Sequence, residues 1–242
     1  LHSAENSSHI VEVFGMRNGI EGLLKEDIFK IRPLSEDEIF ALSCTPSAVL
    51  GSCRKKLPDP YGDDTEEYEK IFSFFLRYDI RYFFYIGGND SMDAVKKLTE
   101  YSKKINYEMV FMGVPKTIDN DLEKTDHTPG FGSAAKYVAT VMQEISCDCA
   151  VYTVKAVTVV EVMGRDAGWL TAAAGLPRLI GEKTADLIYL PEVPFDEDRF
   201  IEDIKTLFSE KPNVVVAVSE GIKTAEGEYV GARAQSGVTD IF

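Results

Sequence analysis

The chain has 242 residues, of which 45% are hydrophobic and 27% are charged, a composition typical of folded globular proteins. Acidic residues number 40 against 26 basic ones, which makes the formal net charge −14. This balance argues against nucleic acid or an anionic membrane as a partner, because binding to either depends on clustered positive charge. Phosphate-bearing small molecules stay possible, since a few basic side chains in a cleft can reverse the local potential.

Cysteine and histidine usage points to an intracellular protein without a metal cluster. The four cysteines show no CxxC spacing and no disulfide-scaffold density, so reduced thiols and a cytoplasmic location are expected: Cys44, Cys53, Cys147 and Cys149. The three histidines are scattered along the chain: His2, His9 and His127. No apolar run has the length of a membrane span, and the start of the chain lacks the basic and apolar regions of a secretory leader.

The first third of the chain alternates short apolar stretches with polar segments. Ile10–Phe14 is predicted to form a short strand, and Ser35–Glu38 has the pattern of a capping box that opens a helix. Val49–Lys56 consists of small residues followed by a basic cluster, which fits either a solvated charge run or a phosphate-binding segment. Thr65–Tyr78 has apolar residues at helical spacing after an acidic first turn, and therefore predicts a helix.

A strand, two glycines and a helix follow one another between residues 81 and 98. Arg81–Ile86 is an apolar, β-prone run that ends at Gly87-Gly88-Asn89-Asp90-Ser91, and a helix is expected to begin near Ser91. Glycines let a ligand approach the backbone, and a helix N-terminus presents free N–H groups to an anion. The pattern is weak by itself because many turns contain Gly-Gly, but its place between strand and helix favours a phosphate-facing loop.

The segment Pro115–Asp121 carries a lysine, a hydroxyl group and two carboxylates directly after the apolar run Glu108–Val114. A strand that ends at a proline continues into an extended loop, because the residue before proline avoids the helical region. Open α/β folds place their ligands at such strand ends. A polar turn capped by Asp and Asn is the simpler alternative for this loop considered by itself.

The rest of the chain repeats the rhythm of strand, polar switch and helix. Gly130–Ala135 opens a helix that runs to about Glu144, and its small residues suit either tight helix packing or ligand contact. Further strands are predicted at Lys155–Val162, Asp186–Leu190 and Asn213–Val218, with a helix at Phe195–Phe208. The pattern predicts an α/β protein of two Rossmann-like, doubly wound parallel-sheet units, residues 1–130 and 131–242.

Charged groups at four strand ends can converge, because parallel strands share one carboxyl edge. The groups are Gly88 and Asp90, then Lys116, Asp119 and Asp121, then Arg165, and finally Glu192. Each of these charges taken singly is more simply read as a solvated loop residue. Together they suit phosphoryl transfer, which needs cations near phosphate, carboxylates for magnesium and a carboxylate that accepts a proton.

Three segments in this order resemble the 6-phosphofructokinase family: Gly87–Ser91, Pro115–Asp121 and Val160–Arg165. The lysine at 116 and the acid at 90 resemble the pyrophosphate-dependent branch, since the ATP-dependent branch usually has glycine at both positions. The resemblance implies a phosphofructokinase-like fold and the transfer of phosphate from pyrophosphate to fructose 6-phosphate, a reversible glycolytic step with Mg²⁺. It also implies a homo-oligomer.

The resemblance assigns roles to individual residues of this chain. It implies that Asp119 is the base for the sugar 1-hydroxyl and that Lys116 stabilises the transferring phosphoryl group, with Thr117 beside them. Asp90 would occupy the space of a nucleotide α-phosphate and repel it. The expected sugar-phosphate contacts are Thr117, Asp119, Met163, Gly164, Arg165 and Glu192. The expected donor contacts are Gly88, Arg54 and Lys116. The expected metal ligands are Asn89 and Asp121.

Several departures from the family pattern keep other interpretations open. Asn89 stands where the family commonly has a magnesium-binding Asp, and an amide oxygen brings no negative charge. The family's first glycine-rich loop is missing, Val13 already resembles its second strand, and the chain stops before an expected basic segment. The resemblance therefore predicts a chain truncated at both ends and inactive by itself. The alternatives are an ATP-dependent 6-phosphofructokinase and a non-catalytic, sugar-phosphate-binding regulatory subunit.

Overall fold

A computed structural model describes residues 7–231 and divides the chain into two compact units, Leu1–Pro115 and Lys116–Phe242. The division falls earlier than the change expected near Gly130, because the loop after Pro115 packs with the elements that follow it. Which unit takes the phosphoryl donor and which the sugar phosphate stays a prediction. The expectations about a secretory leader, about His2 and about the chain's end lie outside the described residues.

Unit 1 begins with a small antiparallel hairpin. Strand β1 (Phe14–Met16) pairs with β2 (Ile28–Lys30), and helix α1 (Gly19–Leu24) lies between them in the chain. The strand expected at Ile10–Phe14 was placed too early: the paired strand is Phe14–Met16, and just before it the Val13 carbonyl accepts from the Ile31 N–H at 2.8 Å.

Helix α2 (Glu36–Cys44) confirms the predicted capping box. The Glu38 N–H donates to Ser35 Oγ at 3.3 Å, and the Ser35 N–H donates to Glu38 Oε2 at 2.9 Å. Two of the free N–H groups at the helix start are thereby satisfied, and the helix begins where the sequence places it.

A parallel strand pair forms the rest of unit 1. Helix α3 (Glu66–Arg77) precedes β3 (Tyr82–Gly87), and helix α4 (Asn89–Lys104) crosses over to β4 (Val110–Pro115), which pairs with β3 in parallel. The core on one side of this pair is aromatic: Tyr68, Phe72, Phe75, Phe83, Tyr85 and Tyr101. The apolar stripe of α3 therefore packs on one side of the strand pair.

The other side of the β3–β4 pair is apolar and exposed. Alternate strand residues point to opposite sides, and the side away from the core carries Tyr82, Phe84, Ile86, Val110, Met112 and Val114. These six side chains, called the open sheet face below, are each between 42% and 66% exposed. Sheets of the parallel type are usually covered on both faces, so this side is unusual.

Unit 2 is built on a three-stranded parallel sheet. Its elements in order are α5 (Phe131–Cys149), β5 (Ala156–Val162), α6 (Trp169–Ala173), a 3-10 helix (Leu176–Ile180), β6 (Leu187–Tyr189), α7 (Glu197–Glu210) and β7 (Asn213–Ser219). The strand order is β5-β7-β6.

The central strand β7 organises this unit. Its continuous apolar run is buried almost throughout, as expected for a strand with neighbours on both edges. Val162 pairs with Ser219 and Tyr189 with Val218, so the three strands end at one edge. Parallel sheets flanked by helices confirm the predicted α/β class. Among the described residues, no helix has the length and apolarity needed to cross a membrane.

Candidate active site

In unit 1, the glycine loop joins β3 to the N-terminus of α4. Helix α4 starts at Asn89, slightly before the expected start near Ser91, and Gly88 is its N-cap residue. No side chain caps this end, and the Ser91 N–H donates to the Gly88 carbonyl at 3.0 Å, which leaves the Asn89 and Asp90 N–H groups for an external acceptor. The Asn89 and Asp90 side chains are exposed in that turn. This arrangement suits an anion such as a phosphate group.

Two basic residues of the Val49–Lys56 segment differ in their surroundings. The Arg54 side chain is exposed and has no hydrogen-bond or ion-pair partner in the part of the chain that the structure describes. The Lys56 ammonium lies 3.2 Å from the Asp90 carboxylate. Arg54 is therefore free to meet an anion, whereas Lys56 is engaged with the acid of the α4 first turn.

In unit 2, the loop after Pro115 is closed by the buried Asn120. Its side chain is 7% exposed, donates to the Asp126 carbonyl at 3.1 Å and accepts from the Thr128 N–H at 2.9 Å. The Thr128 hydroxyl donates to the Thr117 carbonyl. Asn120 adopts φ 60°, which Asn tolerates better than most residues. This closure leaves its neighbours Asp119 and Asp121 at least partly exposed on either side.

Asp119 has the most perturbed carboxyl group of this loop. Burial raises the pKa of Asp119 above its ordinary value, and the Asp121 carboxylate raises it further. A hydrogen bond from Thr117 lowers this pKa, Glu220 raises it, and Lys116 lowers it. A carboxylate with a raised pKa holds a proton more readily, which is the property that a general base requires.

Lys116 and Asp121 lie on either side of Asp119 in the sequence and are exposed. Lys116 has no hydrogen-bond or ion-pair partner between residues 7 and 231. Its ammonium group is therefore available to a phosphate oxygen. Asp121 is likewise exposed, and its carboxylate can accept a cation or a hydrogen bond.

The turn after β5 holds Met163, Gly164 and Arg165. Gly164 has φ 125°, its N–H donates to Glu220 Oε1 at 3.2 Å, and its carbonyl accepts from the Ser219 hydroxyl at 2.6 Å. The backbone of this turn is thus fixed against the end of β7. The Arg165 side chain is exposed and unpaired among the described residues, and Met163 is also exposed.

Gly221 allows this turn to pack closely on the segment after β7. A Cβ atom at position 221 would lie 1.7 Å from the Arg165 carbonyl oxygen, which no side chain could tolerate without backbone movement. The absence of a side chain at 221 therefore sets the position of Arg165 relative to the sheet edge.

Glu220 is a candidate site residue that the sequence did not single out. It follows β7 directly, bonds to the Gly164 N–H and contributes to the raised pKa of Asp119. The available signal was the Ser219-Glu220-Gly221 strand end, which has the same form as the other strand ends. Glu192 instead accepts a hydrogen bond from the Gly168 N–H at 2.7 Å, at the start of α6.

A cavity in unit 2 of about 400 Å³ lies away from these residues. It is lined by Ser146, Asp186 and Lys211 among others, near the amino ends of β6 and β7. The candidate residues occupy the carboxyl ends of the same sheet, where α/β folds place their chemistry. Size alone therefore does not locate the site.

The carboxylates of the Lys116–Asp121 loop fit magnesium as a partial ligand set. Mg²⁺ prefers oxygen ligands and keeps several waters, so one or two carboxylates together with substrate phosphates suffice. Within residues 7–231, no group of three or more His, Cys, Asp or Glu side chains could hold a metal ion. An ion here would therefore depend on oxygen atoms brought by the substrate.

Comparison with known proteins agrees with these loops. The family model described as phosphofructokinase matches residues 2–240. The chain is a member of the phosphofructokinase family. The resemblance inferred from the three loops is thereby confirmed, and so is the phosphofructokinase-like fold.

Two curated phosphofructokinase relatives are named pyrophosphate–fructose 6-phosphate 1-phosphotransferase. The one from Xanthomonas campestris pv. campestris is 41% identical over 234 residues, which cover 96% of this chain and 55% of the relative. The one from Methylococcus capsulatus is 42% identical over 232 residues, which cover 95% and 54%. The chain therefore spans about half the length of the curated relatives it matches.

A solved phosphofructokinase structure supports the same assignment. The pyrophosphate-dependent phosphofructokinase from Nitrosospira multiformis superposes with a TM-score of 0.80 and 37% sequence identity. The match covers 98% of this chain and 60% of the solved one. Strand order and loop positions of this phosphofructokinase chain can therefore be interpreted as parts of that fold.

Proposed function

We propose that the protein containing this chain transfers a phosphoryl group from pyrophosphate to the 1-hydroxyl of fructose 6-phosphate. The observation that carries the proposal is Asp119, a partly buried carboxyl with a raised pKa between an unpaired lysine and a second carboxylate. The relatives' names supply the substrates. The products are fructose 1,6-bisphosphate and orthophosphate.

Asp119 acts as the general base. Its carboxylate accepts the proton of the sugar 1-hydroxyl while that oxygen forms a bond to one phosphorus of pyrophosphate. The bridging P–O bond breaks, and the electron pair leaves with orthophosphate. Thr117 orients the base through its hydrogen bond, and the unpaired Lys116 stabilises charge on the transferring phosphoryl oxygens.

The sugar phosphate binds at the carboxyl edge of the unit 2 sheet. Arg165 supplies a free guanidinium for the 6-phosphate, and the Met163–Gly164 backbone shapes the sugar site. Glu220 fixes Gly164 through its N–H and so positions this turn. Glu192 fixes the start of α6 through Gly168 and supports the same edge.

The family resemblance assigns the pyrophosphate contacts to Gly88, Arg54 and Lys116. Gly88 opens the uncapped N-terminus of α4, and Arg54 is an unpaired cation of the same unit. Lys116 adds a third contact. Asp90 disfavours a nucleotide because its carboxylate would oppose the α-phosphate.

The candidate oxygen ligands of this chain fit magnesium when oxygen atoms of the substrates complete its coordination. Asp121 would be the main protein ligand, and Asn89 would contribute an amide oxygen without charge. When bound, the ion neutralises negative charge on pyrophosphate. We also infer a homo-oligomer in the cytoplasm, as the family resemblance implies.

The test is an assay of the full-length protein with fructose 6-phosphate and Mg²⁺, first with pyrophosphate and then with ATP. Turnover with pyrophosphate and little with ATP is expected. Turnover with ATP alone would favour the ATP-dependent alternative and overturn the proposal. Binding of fructose 6-phosphate without turnover on either donor would favour a regulatory subunit.

A further inference from the structure

The segment Lys55–Pro60 is anchored along helix α4. The Leu57 side chain is 3% exposed, and the Leu57 carbonyl accepts from Lys97 Nζ at 2.8 Å. Further along α4, the Pro60 carbonyl accepts a hydrogen bond from Lys104 Nζ at 3.1 Å. Lysine side chains of α4 therefore hold the backbone of this segment at two points, Leu57 and Pro60.

Lys56 lies between two anchored neighbours. Lys55 forms an ion pair with Glu67 of α3 on one side, and the buried Leu57 follows on the other. These anchors direct the Lys56 side chain to the first turn of α4, where its Nζ lies 3.2 Å from Asp90 Oδ1. The fold of unit 1 thus sets the backbone position from which the exposed Lys56 side chain reaches Asp90.

The Lys56–Asp90 pair contributes little to stability. The two side chains are 72% and 62% exposed, and exposed ion pairs contribute about 0–1 kcal/mol. Its effect on the local potential is larger, because both charges lie at the helix end that we propose for the donor. With Lys56 present, the N-terminus of α4 carries a nearly neutral ion pair instead of the uncompensated negative charge of Asp90.

An unpaired Asp90 would oppose pyrophosphate as well as a nucleotide. Pyrophosphate carries several negative charges, and like charges a few ångströms apart repel even in water. The uncapped N–H groups of α4 favour an anion, and a free carboxylate in the same turn would cancel that advantage. Asp90 can therefore exclude a nucleotide without also repelling pyrophosphate only if a nearby cation compensates its negative charge.

We propose that Lys56 is a donor-selectivity residue that acts through Asp90. Lys56 neutralises the Asp90 carboxylate, so pyrophosphate is not repelled, while Asp90 still occupies the space that a nucleotide α-phosphate would need. This inference deepens the proposed function and rests on it. It assigns Lys56 a positioning role and no direct contact with the donor.

The experiment is a double-mutant cycle in the full-length protein, with Lys56→Met, Asp90→Asn and the double variant. In Lys56→Met, the pyrophosphate KM is expected to rise on the order of tenfold, with kcat and the fructose 6-phosphate KM nearly unchanged. The double variant removes both charges and leaves the pair neutral again, so its pyrophosphate KM is expected to return to within about twofold of the wild-type value.

Two further variants separate charge from structure. Lys56→Arg keeps the cation and is expected to retain the wild-type pyrophosphate KM. Lys96→Met removes an exposed lysine from α4, the helix that carries Asp90, and serves as the matched control. The KM increase in Lys56→Met is also expected to shrink in high salt, because exposed charges are screened.

Three results would overturn the inference. An unchanged pyrophosphate KM in Lys56→Met, with wild-type turnover on pyrophosphate, would remove it and leave the proposed function intact. A double variant whose pyrophosphate KM stays as high as that of Lys56→Met would show that Lys56 contacts the donor directly. No wild-type turnover with pyrophosphate would remove the proposed function and this inference together.

Discussion

At the residue scale, the property that suits Asp119 for catalysis also destabilises the fold. Its pKa is raised chiefly by burial, so the ionised form is disfavoured in the folded chain relative to the unfolded chain. The folded state consequently binds more protons between the unfolded and folded pKa values, and stability falls as pH rises through that window.

Asp119→Asn is therefore expected to raise the melting temperature at pH 7. The amide has a similar shape and no charge to desolvate. The gain is expected to vanish below the ordinary aspartate pKa, where the wild-type carboxyl is protonated in both states. Thermal unfolding at pH 7 and at a pH below the ordinary aspartate pKa measures the difference in melting temperature, with Glu202→Gln as an exposed control. A gain that persists at the lower pH would contradict the electrostatic explanation.

Asp119→Ala tests the role of the base directly. Loss of a general base costs about 10²–10⁴-fold in rate, so kcat is expected to fall by that range. The affinity for fructose 6-phosphate is expected to change much less, because Arg165 and the Gly164 turn are intact. Steady-state kinetics and direct binding measure the two effects. Equal losses in turnover and affinity would deny Asp119 the base role.

Asn120→Ala is expected to open the loop that holds the base. The substitution leaves the Thr128 N–H and the Asp126 carbonyl without their partner and places alanine at φ 60°. Leaving the buried Thr128 N–H unpaired costs about 1–3 kcal/mol, so a lower melting temperature and a lower kcat are expected together. Unfolding and activity of Asn120→Ala measure this. A stable variant with normal kcat would show that the closure is unnecessary.

Motif position identifies some of these residues and not others. Asp119 and Lys116 were proposed because their loop follows an apolar strand and a proline. Asn120 was considered only as a cap of a polar turn, and its partners Asp126 and Thr128 were not predicted because they depend on the path of the loop. Glu220 was missed because a single acid after a strand has no spacing signal. Its partner Gly164 comes from a distant strand.

At the scale of elements, long periodic segments were predicted well and short ones poorly. The predicted helix Thr65–Tyr78 corresponds to α3 with its two cap residues. Strands β1 and β2 have three residues each, too few for an alternating pattern to appear. The start of α4 was placed slightly late because Gly88 caps it without the side-chain signature of Ser, Thr or Asp.

Helix α7 offers a test of capping in unit 2. Asp196 accepts from the Arg199 N–H at 3.0 Å at the N-terminus of this helix. Asp196→Ala is expected to cost about 0.5–2 kcal/mol in unfolding free energy, because one N–H of the first turn loses its acceptor. Asp196→Asn keeps an acceptor and is expected to cost less. Denaturant unfolding measures both, and equal costs would contradict a capping role.

At the scale of the whole molecule, the open sheet face predicts self-association of the 242-residue chain. Its six apolar side chains form a contiguous patch of the kind that marks an interface or an aggregation site. Phe84→Lys places a charge at its centre and is expected to increase the monomer fraction and lower the binding of hydrophobic dyes. Light scattering and dye fluorescence measure this.

Leu76→Lys is the matched control for that substitution. Leu76 is 62% exposed on α3 and lies outside the open sheet face. Leu76→Lys therefore adds the same charge at a different part of the surface. If Leu76→Lys improved solubility as much as Phe84→Lys, net charge would explain the effect and the patch would not.

The division between Pro115 and Lys116 also separates most of the residues proposed to select the phosphoryl donor from those proposed to act on the sugar phosphate. Lys56, Asp90 and Gly88 belong to unit 1, whereas Asp119, Arg165 and Glu220 belong to unit 2. Under the proposed function, substitutions at these unit 1 positions can change the choice of phosphoryl donor without disturbing the packing around Asp119. Lys116, the first residue of unit 2, is the one proposed donor contact that would have to change outside the first 115 residues.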